Sequence, residues 1–137
     1  MIKRAVIKGI GAYLPDNVVT NGDIKKIVDT SDEWITERTG IKQRHFASKG
    51  QLTSDLAYNA AKEAIVSSGI NKHDIDLIIV ATTTPDKTLP ATAVTVQALL
   101  GLKNTPAFDI QAACSGFIYG LSIVNSFIKS GQAKNIL

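Results

Sequence analysis

Leu77-Ile-Ile-Val-Ala81 and Pro106-Ala-Phe-Asp-Ile110, with the stretch 91–100 between them, decide the fold class. The first is a continuous apolar run of strand length, the pattern of a strand covered on both faces. A loop from Thr82 to Pro90 leads into a predicted helix over Ala91–Leu100, which Gly101 stops, and the second short strand follows. Strand, helix and strand in this order form one βαβ unit of a layered α/β domain.

Outward from that unit the alternation continues. Upstream, Thr53-Ser-Asp opens a helix that places Leu56, Ala57, Ala60, Ala61, Ala64 and Ile65 on one face and ends at Gly69. Thr30 and Glu33, three apart, read as a capping box for a helix through about Arg38, stopped by Gly40. Thr20 and Asp23 open a shorter helix through about Val28. Arg4-Ala-Val-Ile-Lys-Gly-Ile10 reads as a strand, closed by Gly11 and a turn at Leu14-Pro-Asp-Asn17. Downstream, a helix is predicted from about Cys114 to Lys129, with Gly131 in the C-cap position. The expectation is βαβαβα, one domain over 1–137 with no linker or repeat inside it. The last residues, Asn135-Ile-Leu137, read as the opening of another strand, so the chain is expected to be truncated.

Composition narrows the function classes. The 137 residues are 45% hydrophobic and 20% charged, ordinary for a globular protein and too apolar for a disordered one. Fifteen Lys and Arg oppose twelve Asp and Glu, a net charge of +3. That surplus lies within residues 1–50 and is too thin for a nucleic-acid binder, which needs a denser basic stripe. A single cysteine excludes an internal disulfide framework, and His45 and His73, in separate polar segments, argue against a histidine metal centre. Both histidines are expected at the surface. The start of the chain is too charged for a signal peptide, so a cytoplasmic setting is expected. No charge occurs from Ile110 to Ile128, close to the length of a membrane span, but Gln111, Ser115, Ser122, Asn125 and Ser126 interrupt the run. A helix buried in a protein core fits it better than a membrane helix.

The chemistry concentrates at Gln111-Ala-Ala-Cys114-Ser-Gly116, where a strand runs through small residues directly into a helix. A nucleophile on such a turn is exposed, and small neighbours let a carbonyl approach it. A helix N-terminus stabilises a thiolate and offers free backbone N–H groups for an oxyanion. A lone cysteine filling a core gap is the competing reading, and no histidine is evidently placed to assist the thiol. Trp34 and Arg38 lie four apart on a predicted helix and so share a face, a flat ring beside a phosphate-pairing cation.

Asp109-Ile-Gln-Ala-Ala-Cys-Ser-Gly-Phe117 closely resembles the nucleophile segment of β-ketoacyl-ACP synthase III. Gly9-Ile-Gly-Ala-Tyr-Leu-Pro15, Asp29-Thr-Ser-Asp-Glu-Trp-Ile35 with Arg38-Thr-Gly-Ile41, and Val80-Ala-Thr-Thr-Thr84 with Pro90 resemble the same family in the same order. The resemblance spans essentially the whole chain and implies the N-terminal half of a thiolase-like fold. It implies that Cys114 takes an acyl group from acetyl-CoA or another short acyl-CoA. Malonyl-ACP then condenses with that acyl group, with loss of carbon dioxide, to give a 3-oxoacyl-ACP. It further implies that Thr30, Trp34 and Arg38 hold the nucleotide end of CoA, while Lys42 and Arg44 are expected to be solvated. Leu89 falls in a segment resembling the family's dimer interface, at the position that reaches toward the partner's acyl pocket, and is expected to bound that pocket. The partners implied are acyl-CoA, acyl carrier protein and a second copy of the full-length enzyme, with no metal and no cofactor beyond the CoA thioester substrate. The family's catalytic His and Asn belong to a second half that the chain, as read, ends before. Two other readings stay open: a related acyltransferase of polyketide, quinolone or hydroxymethylglutaryl pathways, and a non-catalytic remnant.

Overall fold

The computed structural model describes residues 4–137. They form two compact units, one of residues 14–51 and the other of the segment up to Tyr13 together with 52–137.

In the 14–51 unit, β1 (Asn17–Thr20) pairs antiparallel with β2 (Gln43–Phe46), Asn17 opposite Phe46 and Thr20 opposite Gln43. Between them lie α1 (Asn21–Ile24) and α2 (Asp32–Thr39). Thr20 and Asp23 form the expected reciprocal capping box on α1. Hydrogen bonds from the Lys26 ammonium and then from Thr20 hold the Asp23 carboxyl well below its usual range. The unit is organised around Asn21, 1% exposed. Its amide donates to Asp32 Oδ1 at 2.6 Å and to the Ile41 carbonyl at 2.8 Å, and its Oδ1 accepts from Arg44 Nη1 at 2.8 Å. A buried amide satisfied on both ends ties α1, α2 and β2 together.

In the other unit, β3 (Ile78–Ala81) pairs parallel with β4 (Ala107–Ile110) through the crossover helix α4 (Thr92–Leu99), as the apolar run and its spacing predict. On the far side of β3, Leu77 bridges in parallel to Ile136, and Leu137 exchanges backbone hydrogen bonds with Leu77 and Ile79. The expected opening of a strand at 135–137 is present as a single parallel β-bridge. Asp76 secures it: Oδ2 accepts from the Lys134 and Asn135 amides at 2.6 and 2.9 Å. Alternation along β3 sorts the two layers of helix. Ile78 and Val80 pack with Ala93, Val96 and Leu100 of and beside α4. Ala81 and its register partner Ile110 face α5 (Gly116–Ser130), where Cβ atoms added at Gly116 and Gly120 would lie 3.1 Å from Ala81 and 3.6 Å from Ile110.

The segment 4–10 is not a strand. Its apolar residues have no neighbouring backbone to pair with among the described residues. Backbone amides here reach side chains instead: Ala5 to Asn125, Ile10 to Ser67 and Ala12 to Glu63. Val6, Ile7 and Ile10 remain exposed. What holds the segment is close approach to α3 (Thr53–Ser68). A Cβ on Gly9 would fall 2.5 Å from the Ala64 carbonyl oxygen and the Ser68 nitrogen, and one on Gly11 would overlap the Ala60 oxygen and the Ala64 nitrogen. The small-residue face of α3 exists partly for this contact.

Three further expectations change. The turn expected at 14–17 passes at Asn17 into β1, and the polar segment holding His45 forms β2; neither four-residue sequence shows a clear alternation. His45 is half-buried in β2 with Nδ1 against the Pro15 carbonyl, and half-buried Arg44 serves Asn21 rather than solvent. The helix after the cysteine is buried only on its sheet side, while Phe117, Ile118, Tyr119 and Leu121 are exposed.

Two outcomes follow from these contacts. Gly11→Ala forces a side chain into the α3 backbone and is expected to lower stability by about 3 kcal/mol or more, read as a reduced urea midpoint. The backbone amides of Asn135 and then Lys134 depress the Asp76 carboxyl below the usual 3.8. A depressed folded-state value means the stabilisation is complete above 3.8 and disappears as pH falls through that lower value. The stability gap between wild type and Asp76→Asn should therefore be constant above about pH 5 and close in stronger acid; a gap unchanged by acid contradicts the assignment.

Candidate active site

Strand β4 ends at Ile110, and the chain reaches α5 within five residues. Ala112 sits at φ −149° and ψ 32°, Ala113 at φ 42°, and Ala113–Ser115 form one 3₁₀ turn. A positive φ at a residue bearing a Cβ costs on the order of 1 kcal/mol and concentrates at functional turns. Cys114 occupies the middle of this turn and is exposed. The thiol therefore stands at the carboxyl ends of two parallel strands, where open α/β sheets bind their ligands. Gly116 is buried against Ala81, and its missing side chain lets the first turn of α5 lie directly on β3. Ser115 supplies no side-chain cap to α5, and the Ser115 and Gly116 amides bond the Ala112 and Ala113 carbonyls within the turn.

Behind the turn, Asp109 does work that the sequence reading missed. Its Oδ2 and Oδ1 accept from the backbone amides of Thr92 and Ala93, each at 2.7 Å, and so cap α4 from a different element. Fully buried Thr92 accepts in turn from the Asp86 amide at 3.2 Å, and Asp86 Oδ1 accepts from the Ser54 amide at the start of α3 at 3.0 Å. Thr53 Oγ1 donates to the Thr84 carbonyl at 2.6 Å. The 82–91 loop is thereby tied at both ends. Its tip is open: Leu89, the residue expected to bound a pocket, is 84% exposed. An acid five residues before the cysteine was visible in the sequence, but a cap supplied from another strand has no local pattern to reveal it.

Thr30, Trp34 and Arg38 belong to the 14–51 unit. Ser31, not Thr30, caps α2, its Oγ accepting from the Trp34 amide at 3.1 Å. An N-cap oxygen must reach the amide three residues on, and the residue so placed for this helix is Ser31. Glu33 then stands in the first turn, its carboxyl held below the usual range by its own backbone N–H and by Ser31. The face shared by Trp34 and Arg38 is present: the guanidinium lies 5.2 Å from the centroid of the indole ring, a cation–π contact. The indole is 54% exposed, and Thr30 joins it, with Val28, Asp29 and Ser31, around a recess of about 330 Å³. The Thr30 hydroxyl oxygen is buried there without a hydrogen-bond partner. A larger recess of about 650 Å³ is lined by Asp32, Glu33, Thr36, Glu37 and Lys42, and its three carboxylates suit a phosphate poorly. Among the described residues there is no cluster of His, Cys, Asp and Glu that fits a metal ion, and no helix long and apolar enough to cross a membrane.

An exposed thiol has a direct readout. Iodoacetamide is expected to label the native protein at Cys114 without denaturant; protection of the thiol until unfolding contradicts the exposed turn.

Comparison with known proteins bears on the whole chain. The family model for 3-oxoacyl-[acyl-carrier-protein] synthase III matches residues 108–137, which hold the cysteine turn, α5 and the last strand. The chain is 60% identical over 136 residues to the β-ketoacyl-[acyl-carrier-protein] synthase III of Ehrlichia canis, covering 99% of this chain and 43% of that protein. It is 58% identical over 134 residues to the enzyme of the same name from Rhodospirillum centenum, covering 98% and 42%. The crystal structure of 3-oxoacyl-[acyl-carrier-protein] synthase III from Aquifex aeolicus superposes with a TM-score of 0.90 at 58% identity, over 95% of this chain and 42% of that one. The chain thus spans about two fifths of the length of the relatives it matches. In sequence and in its layered α/β fold, the chain is similar to part of these β-ketoacyl-ACP synthase III enzymes.

Proposed function

We propose that this chain supplies the nucleophile and the CoA-nucleotide contacts of a β-ketoacyl-ACP synthase III, which starts type II fatty-acid synthesis. The observation that carries the reading is the exposed Cys114 on its strained turn at the uncapped start of α5. The Cys114 sulfur, as thiolate, attacks the carbonyl carbon of an acyl-CoA, with acetyl-CoA the expected donor. The bond from that carbon to the CoA sulfur breaks, and CoA leaves as its thiolate and takes up a proton. Backbone N–H groups at the turn are suited to the oxyanion of the intermediate. Malonyl-ACP then loses carbon dioxide, and the resulting carbanion attacks the acyl-enzyme, giving a 3-oxoacyl-ACP and restoring the Cys114 sulfur. Covalent catalysis divides the condensation into two accessible steps.

Trp34 offers a face for adenine stacking, and Arg38, already over that face, is suited to pair with phosphate. Thr30 adds a buried polar atom beside the recess that Trp34 lines. Leu89 bounds the acyl pocket. The complete protein acts as a homodimer in the cytoplasm with acyl-CoA and acyl carrier protein as partners, and it uses no cofactor beyond the CoA thioester substrate.

Acetyl-CoA incubated with the complete protein should add one acetyl group to Cys114 by mass spectrometry, and Cys114→Ala should abolish it. Acylation elsewhere, or none, overturns the reading and favours a non-catalytic chain. Trp34→Ala and Arg38→Ala should each raise the KM for acetyl-CoA about tenfold with little change in kcat, as loss of uniform binding does. Use of malonyl-CoA or a second acetyl-CoA in place of malonyl-ACP indicates a related acyltransferase.

A further inference from the structure

The loop that carries Leu89 has an exposed tip, yet its ends are fixed by a connected run of hydrogen bonds. Asp109 on β4 uses both carboxylate oxygens on the Thr92 and Ala93 amides, each at 2.7 Å. The Thr92 hydroxyl accepts from the Asp86 amide, and the Asp86 carboxylate accepts from the Ser54 amide. Thr92 lies three residues after Leu89 and is fully buried, so the root of the loop is anchored in the core. Asp109 lies five residues before Cys114 on the strand that feeds the nucleophile turn. A carboxylate whose two oxygens are both engaged by amides is placed to position backbone rather than to move protons. Charge-assisted bonds of this length are the strong class, and a partner on a sheet strand is more rigid than one supplied by the loop itself.

We propose that Asp109 is a positioning residue for acyl-donor selectivity. It fixes the root of the Leu89 loop to β4, with Thr92 and Asp86 passing the constraint along the loop, and so sets how Leu89 is presented to the acyl pocket it bounds across the dimer interface. The inference rests on the proposed role of Leu89 at the acyl pocket. It predicts that loosening the root changes which acyl chains are accepted, without removing the thiol or any group that touches substrate.

The test uses the complete protein. Asp109→Asn keeps the shape, removes the charge and turns an NH2 toward one of the two amides. Loss of a charge-assisted hydrogen bond should speed hydrogen exchange at Thr92, Ala93 and residues 83–91 by about tenfold, while core amides of β3 keep their wild-type rates. The kcat/KM ratio for acetyl-CoA over hexanoyl-CoA should fall about three- to tenfold, a change that uniform destabilisation does not produce because it lowers both values together. Should Asp109→Asn fail to fold, Thr92→Val interrupts the next link, and Thr92→Ser, which keeps the hydroxyl, should restore the wild-type ratio. Unchanged loop exchange, or equal loss for both donors, overturns the proposal. Leu89→Ala separates it from the reading beneath it. If Leu89→Ala shifts the ratio and the Asp109 and Thr92 variants do not, the positioning role alone is wrong. If Leu89→Ala leaves the ratio unchanged, the pocket role of Leu89 falls, and the selectivity role of Asp109 falls with it.

Discussion

A single carboxylate joins the parts of the larger unit that matter for chemistry. Asp109 stands on β4 and takes the first two amides of α4, so that the crossover helix, the strand beneath it and the loop before it share one anchor. The amides at a helix start have no partner within the helix, and α4 begins at a residue, Ala91, that has no side-chain oxygen to offer. Without an acceptor from elsewhere those buried amides would be left unsatisfied, at a cost of the order of 1–3 kcal/mol each. The same device recurs at α3, where Asp86 reaches Ser54. At α5 it is absent from the N-cap residue, and that is the helix start next to Cys114.

Small residues allow the other close contacts. Gly9 and Gly11 bring one backbone segment against another along α3, and Gly116 brings the first turn of α5 onto β3. Such contacts carry little apolar area. Their role is to fix distance, and a turn held in a positive-φ conformation at Ala113 persists only when its surroundings leave it no alternative. Exposure of Phe117, Ile118, Tyr119 and Leu121 on the remaining face of α5 places an apolar surface immediately after Cys114.

Elements with a strong local pattern were legible from the sequence. The apolar run at 77–81, the helices ended by Gly40, Gly69, Gly101 and Gly131, and the strand at 107–110 all lie where periodicity and punctuation put them. Those glycines adopt positive φ, the conformation that makes them stop signals. The sharp passage from strand to helix at Cys114 was legible too, because small residues between two apolar runs leave few alternatives. The hairpin of β1 and β2 was not, since strands of four polar or mixed residues draw their stability from a partner rather than from alternation. The segment 4–10 failed in the opposite direction: it has strand composition, but a strand is a pairing and no partner lies beside it among the described residues. Thr30 and Ser31 show how adjacent capping residues mislead, because either satisfies the local rule and only the start of the helix chooses between them.

Residue order alone determined the α/β alternation, the position of the thiol between a strand and a helix, and the common face of Trp34 and Arg38. Each of these depends on interactions within a few residues along the chain. Tertiary structure decided which groups satisfy the buried amides: Asp109 for α4, Asp86 for α3, Asp76 for the last strand, and Asn21 for the polar centre of the smaller unit. It also decided that the Cys114 thiol faces outward rather than into the core. Donors and acceptors separated by as many as 120 residues meet only after the chain has packed, and no local preference records in advance which of them will be neighbours.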